Sequence, residues 1–251
     1  MEGICKLCGQ NKVLIKAHII PESFYNFLYN ASHAFTEVLD NDGDPKKSRR
    51  RKGLYDSTIL CKECDTRLGS LYDDYGSRIF FGHKNSKMKI NEVVGKNDPR
   101  VRWREISNAE PGKIKLFLLS ILWRAHISNL EFFKDVDLGL SHSKKIMKMI
   151  STSDAGKLDE YPILILQYSI KNSNSRKLLS SIKKYKKDGK TFYAALLSGV
   201  IVFWHISLYS ISEGLEKFAI DSQNGLKIII SPRQDFDAIK AFLGENAFKS
   251  M

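Results

Sequence analysis

Acidic residues are in short supply in this chain of 251 residues. Asp and Glu number 28 against 40 Lys and Arg, which leaves a formal net charge of +12 and a pI near 9.4. An excess of this size turns a protein toward polyanions, nucleic acid first and an anionic membrane surface second; the plainer alternative is a protein that is merely soluble and basic. Apolar runs long enough to cross a bilayer are also missing. AALLSGVIVFWHISLYSIS is broken by Gly199, His205 and several serines and reads as buried strand, and LFLLSILW is bracketed by Lys115 and Arg124 and is too short. A basic n-region followed by an apolar h-region is absent, since Met1, Glu2 and Gly3 lead straight to Cys5. No segment repeats another. The expectation is a cytoplasmic protein with no membrane partner. A 43% hydrophobic composition is enough for one large domain or two smaller ones.

Cysteine is scarcer still. The 4 residues Cys5, Cys8, Cys61 and Cys64 form two C-x-x-C pairs with none to spare. A reducing compartment argues against structural disulfides. Two thiolates at this spacing share one tight turn and offer two corners of a tetrahedron. A second pair closes an all-cysteine site of the kind structural zinc occupies. The competing readings are a thioredoxin-like redox pair and free structural thiols. A redox pair belongs between a strand and a helix of a βαβ unit, and a second pair would be redundant there. Gly9, after Cys8, suits a knuckle turn that needs positive φ.

Between the pairs, VLIKAHII alternates as a strand. Val13, Ile15, Ala17 and Ile19 fall on one face, Leu14, Lys16, His18 and Ile20 on the other, and Pro21 ends it. PESFYNFLYNASHAF predicts a short helix with Phe24, Phe27 and Leu28 on one side. DNDGDPKKSRRRKG has no large apolar residue and reads as an exposed, mobile loop, whose closure by a metal would offset chain entropy. A second strand leads into Cys61. A helix follows, with Leu68, Leu71, Tyr72 and Tyr75 at helical spacing.

This order, with CKLC, AHIIP and DSTILCKECD as landmarks within residues 3–81, resembles the HNH nuclease family in its zinc-stapled ββα-metal form. The resemblance implies that Cys5, Cys8, Cys61 and Cys64 hold a structural Zn²⁺ and that His18 is the general base. Asp56, five residues before Cys61, stands where the family has its middle Asn, and Asp65, after Cys64, where it has its final His. Ala17 stands where many members carry a metal-binding Asp. Asp56 and Asp65 are the implied catalytic residues beside His18 and the implied ligands of a catalytic Mg²⁺ or Mn²⁺, being oxygen donors suited to hard ions. The implied reaction is hydrolysis of a nucleic-acid phosphodiester, in which a histidine mostly neutral at pH 7 takes the proton of an in-line water. DNA stands ahead of RNA as the partner, in a setting such as restriction or antiphage defence. Arg49, Arg50, Arg51 and Lys52 in the basic loop, with Arg67 and Arg78 on the helix, are the expected phosphate contacts, and Gly69 leaves bare backbone nearby. The rival reading is a non-catalytic zinc module that binds nucleic acid or protein, and Ala17 is the residue that favours it. Each residue also has a plain role open to it: His18 as a satisfied strand histidine, Asp65 as a helix-dipole partner, Asp56 as a turn former, Asp73 and Asp74 as solvated acids.

Gly95, Asn97, Asp98 and Pro99 mark a change of register. The expected organisation is α+β, with an HNH-like zinc-stapled module over residues 1–95 and a larger α+β region over residues 96–251. In the second, Pro111 starts an apolar helix, GKIKLFLLSILWRAHISNL, and SKKIMKMIS is a short amphipathic one. YPILILQYSI, KTFYAALLS, GVIVFWHISLYS and GLKIIISP read as strands, and RQDFDAIKAFLGEN as a closing helix. His126, His142 and His205 lack ligand spacing and, with Trp123, Arg124 and Trp204, are read as structural. KNSNSRKLLSSIKKYKKDGK is a second basic stretch, either a solvated helix and turn or a nucleic-acid face. Target selection, a protein partner or homodimerisation are the roles open to this region.

Overall fold

The computed structural model describes residues 2–41, 44–82, 89–96, 98–99, 101–168, 177–187, 189–206, 214–221 and 225–231. The fold is a mixed α+β arrangement of sheets and a few helices. At the N-terminus, β1 (Glu2–Ile4) and β2 (Asn11–His18) pair antiparallel. The chain then makes a 3-10 turn at Glu22–Phe24 and further turns, where a helix was expected. Asn30 explains the break. Its side-chain oxygen accepts from the Ser32 and Ala34 amides at 3.0 and 3.1 Å, satisfying donors that a helix would need.

The basic segment read as a mobile loop is instead one arm of a hairpin, β3 (Phe35–Asn41) with β4 (Asp44–Arg50). Buried Glu37 makes this pairing favourable. It accepts from Arg50 Nε at 2.6 Å and from Ser48 Oγ at 2.8 Å, so opposite charges meet across the strands. Next, β5 (Tyr55–Cys61) adds antiparallel to β2, giving the sheet order β1-β2-β5. The register slips: Ile15 faces Leu60, but Ala17 faces Asp56, so β5 carries extra residues in a bulge. Strict alternation along β2 fails for the same reason. Leu14 and Ala17 are both buried, and Val13 is 60% exposed.

Helix α1 (Lys62–Leu68) follows Cys61 directly, with Glu63 and Asp65 in its first turn, where acids suit the helix dipole. A π-helical segment, Gly69–Asp73, joins it to α2 (Asp74–Phe81). Leu68, Tyr72 and Tyr75 are buried, as their spacing predicts.

The second sheet has seven strands: β6 (Lys89–Val94), β7 (Arg102–Ser107), β8 (Ile163–Tyr168), β9 (Lys183–Lys187), β10 (Lys190–Leu197), β11 (Val200–Ile206) and β12 (Lys227–Ser231), in the order β6-β7-β12-β8-β11-β10-β9. The β12–β8 pair is parallel. Helix α3 (Pro111–Ile127) has Pro at its first turn, is buried along most of its length and accepts a bond from Trp204 Nε1 at Leu118 O, 2.9 Å. Helix α4 (Gly139–Thr152) packs beside it. One apolar core runs through both sheets' surroundings, from Leu14 and Ile59 to Phe117, Ile163 and Val202. Helices α2 and α3 come close at Gly76, where a Cβ would lie 2.4 Å from the Phe117 ring. The expected closing helix, residues 233–246, and residues 171–176 of the second basic stretch lie outside the described residues.

Candidate functional site

The two C-x-x-C pairs meet at one end of the β2–β5 hairpin. The sulfurs of Cys5, Cys8, Cys61 and Cys64 all lie within 4.8 Å of one another. A tetrahedral zinc with bonds of about 2.3 Å would hold four sulfurs about 3.8 Å apart, so the set fits a metal ion such as zinc. The backbone builds the knuckle. The Gly9 amide bonds Cys5 O at 2.8 Å with Gly9 at φ 71°, and the Cys61 amide approaches Cys5 Sγ at 3.4 Å. The Lys6 amide reaches Ile59 O at 2.8 Å, so the bulged part of β5 grips the knuckle. Burial alone would raise the Cys5 thiol, but the amides of Cys8, Cys61 and Leu7 bring it down to about 7. Burial and the neighbouring thiols Cys61 and Cys5 push Cys64 strongly upward. Cys64 thus resists ionising beside its neighbours, and a divalent cation is the natural counter-charge for the cluster. Lys12 and Glu63 form an exposed pair at 3.6 Å beside the cluster.

At the other end of the hairpin, His18 closes β2 opposite Tyr55. Its Nε2 lies 3.1 Å from Glu22 Oε2, and its imidazole is 39% exposed. Arg124, buried in the middle of the molecule, donates to His18 O at 2.9 Å and grips both oxygens of Asp73 at 2.9 and 2.7 Å. Asp73 is therefore an ion-pair partner and not a solvated acid, and Arg124 is more than core filling. The π-helical turn makes this possible. Asp65 and Asp73 would stand about 80° apart on a regular α-helix, and one inserted residue brings them to within about 20°. Asp65 lies among these charges. Burial raises its carboxyl, Arg124 and His18 pull it down, and Asp73 pushes it up, with a net rise.

Asp56 is placed differently. Its Oδ1 accepts from the Thr58 amide at 2.8 Å and the Thr58 hydroxyl at 2.6 Å, and its Oδ2 from Ser128 Oγ at 2.9 Å and the Asn129 amide at 3.0 Å. Burial would raise this carboxyl, but these four bonds hold it below the usual range. The four donors use all the acceptor sites of a carboxylate, so Asp56 braces the β5 bulge against the end of α3 and has no lone pair left for a cation. Ala17 is buried and has no donor. Among the described residues, the cysteines are the only group of three or more His, Cys, Asp or Glu close enough to hold a metal ion.

The expected phosphate contacts divide into two sets. Arg50 is spent on Glu37 within the hairpin, Arg49 bonds Ser32 Oγ, and Arg67 bonds Ser151 O. Arg51, Lys52 and Arg78 are exposed, the last over the Tyr75 ring at 5.6 Å. Glu22 and Arg124 are the residues that sequence reasoning missed. Glu22 stands four residues after His18, a spacing that was open to notice; the position of Arg124 depends on chain packing 106 residues away from His18. Among the described residues no helix is long and apolar enough to cross a membrane. Comparison of the chain with family models, curated proteins and solved structures found no match.

Proposed function

We propose that the N-terminal unit is a zinc-stapled, HNH-like nuclease module that acts on nucleic-acid phosphodiesters, with His18 as its general base. The observation that carries this reading is the strand–strand–helix unit in which four cysteine sulfurs meet within 4.8 Å, with His18 at the end of β2 and close enough to Asp65 for its charge to be felt there. In the proposed reaction an in-line water gives its proton to the His18 imidazole as its oxygen bonds to phosphorus, and the bond from phosphorus to the sugar oxygen breaks, that oxygen taking a proton from solvent water. Among the described residues no hydrogen bond or ion pair engages the Asp65 carboxylate, whereas Asp73 is held by Arg124 and Asp56 by its four donors. Basic side chains such as Arg51 and Lys52 position the phosphate backbone, and the net charge of +12 favours DNA or RNA at the surface. A microbial defence role would suit such an enzyme.

A second reading, a non-catalytic zinc module that binds nucleic acid or protein, is favoured by one observation: buried Ala17 sits opposite the saturated Asp56. Purified zinc-loaded protein incubated with supercoiled plasmid, with EDTA-free Mg²⁺, with Mn²⁺ and with neither, separates the two. Nicking under any of these conditions supports the nuclease. Binding without nicking in all of them supports the second reading.

A further inference from the structure

The His18 ring has a partner that the proposed reaction does not use. Glu22 begins the 3-10 turn after Pro21, and its Oε2 lies 3.1 Å from His18 Nε2. That oxygen is buried and makes no aligned hydrogen bond, and the His18 ring nitrogen lies within hydrogen-bond distance of it. The other oxygen, Oε1, accepts from the Tyr29 hydroxyl. Burial raises the Tyr29 phenol and the bond to Glu22 raises it further, which keeps Tyr29 a donor. Gly53 makes room for the arrangement. A Cβ there would sit 2.8 Å from Glu22 Oε2 and 2.6 Å from the Tyr25 ring. The His18 backbone is fixed independently by Arg124 on its carbonyl.

We infer that Glu22 is a positioning residue for His18: backed by Tyr29, it takes the Nε2–H of the imidazole and leaves Nδ1 as the basic nitrogen facing solvent. The carboxylate that the neighbouring Ala17 cannot supply thus comes from four residues downstream of His18, and it acts on the base rather than on a metal. The chemistry is that of any histidine whose tautomer is set by the bond at its other nitrogen. A carboxylate at Nε2 also stabilises the imidazolium formed when Nδ1 takes a proton. The inference rests on the nuclease reading for its effect on rate, but the pairing itself is measurable without activity.

The test uses the full, zinc-loaded chain labelled with ¹⁵N-histidine, with the His18 signals assigned by their loss in His18→Ala. The expected result is an Nε2–H tautomer with a slowly exchanging Nε2 proton in wild type, lost in Glu22→Leu. Plasmid nicking should fall about 10- to 100-fold in Glu22→Leu and less in Glu22→Gln, which keeps the shape and loses the charge. Tyr29→Phe should lower it only a few-fold. An Nδ1–H tautomer in wild type, an unchanged Nε2 proton in Glu22→Leu, or unchanged nicking in Glu22→Leu would each overturn the inference. If wild type does not nick at all, the nuclease reading fails alone, and the proton signal still decides for or against the Glu22 pair. Glu22→Ala, which also removes the acceptor, serves in place of Glu22→Leu if the latter does not fold.

Discussion

At the Cys5–Cys61 end of the β2–β5 hairpin, four like side chains from two short segments converge on a point that one cation can satisfy. At the His18–Tyr55 end, unlike groups converge from β2, the 3-10 turn, α1, the π-helical turn and α3, and a buried carboxylate oxygen is left without an aligned partner. The first end is built to hold the chain together. The second keeps polarity that folding alone would have removed, since an apolar core there would be at least as stable. The same strands therefore carry a four-cysteine cluster at one end and, in the proposed reading, the chemistry at the other.

Breaking the first end should have the largest effect. Cys61→Ser, or removal of metal by a chelator, is expected to cost several kcal/mol and unfold the N-terminal sheet, because metal binding in such a site is folding free energy. Elemental analysis of protein from a reducing preparation should find one zinc per chain, and circular dichroism should follow the unfolding. A chain that melts identically with and without metal would remove the staple from the account.

The link between the ends is next. Arg124→Ala leaves Asp73 without its partner and is expected to cost about 3–5 kcal/mol. Asp56→Ala strands the donors of Thr58, Ser128 and Asn129 and is expected to cost about 3 kcal/mol. Because the Asp56 carboxyl is held below its usual range in the fold, its contribution is present at neutral pH and is lost as the pH falls through and below the carboxylate range. Urea titrations of wild type and Asp56→Ala at pH 7 and at acid pH should converge as the pH drops.

Asp65 sharpens the contrast by its sign. Its carboxyl is raised in the fold, so its ionisation at neutral pH opposes folding, and Asp65→Asn should melt slightly higher than wild type while losing activity. A lower melting temperature would make Asp65 a structural acid. The smallest effect belongs to the surface. Arg51→Ala and Lys52→Ala should each weaken DNA binding at all sequences alike and lower the salt slope by about one. Arg50→Ala, whose guanidinium is engaged by Glu37, should instead destabilise the β3–β4 hairpin.

The cysteine end was legible in the residues because a C-x-x-C turn is local and its spacing states the ligand geometry. The order of knuckle, strand with His18, second strand and helix was legible for the same reason. The other end was not. The slip of β5 by Asp56 depends on Ser128 and Asn129, more than seventy residues away. The role of Arg124 was hidden because an arginine inside an apolar helix reads as core until its partners are known. The π-helical turn, which carries Asp73 round toward Arg124, has no mark in the spacing of Leu68, Leu71, Tyr72 and Tyr75. The β3–β4 hairpin was missed because its pairing rests on one buried acid, Glu37, amid a run of basic residues.

The most direct test of the account compares nicking of supercoiled plasmid by zinc-loaded wild type and His18→Ala, matched for circular dichroism and for DNA binding. The account predicts that wild type nicks and that His18→Ala is slower by about 10²- to 10⁴-fold. Equal rates in the two proteins would contradict it.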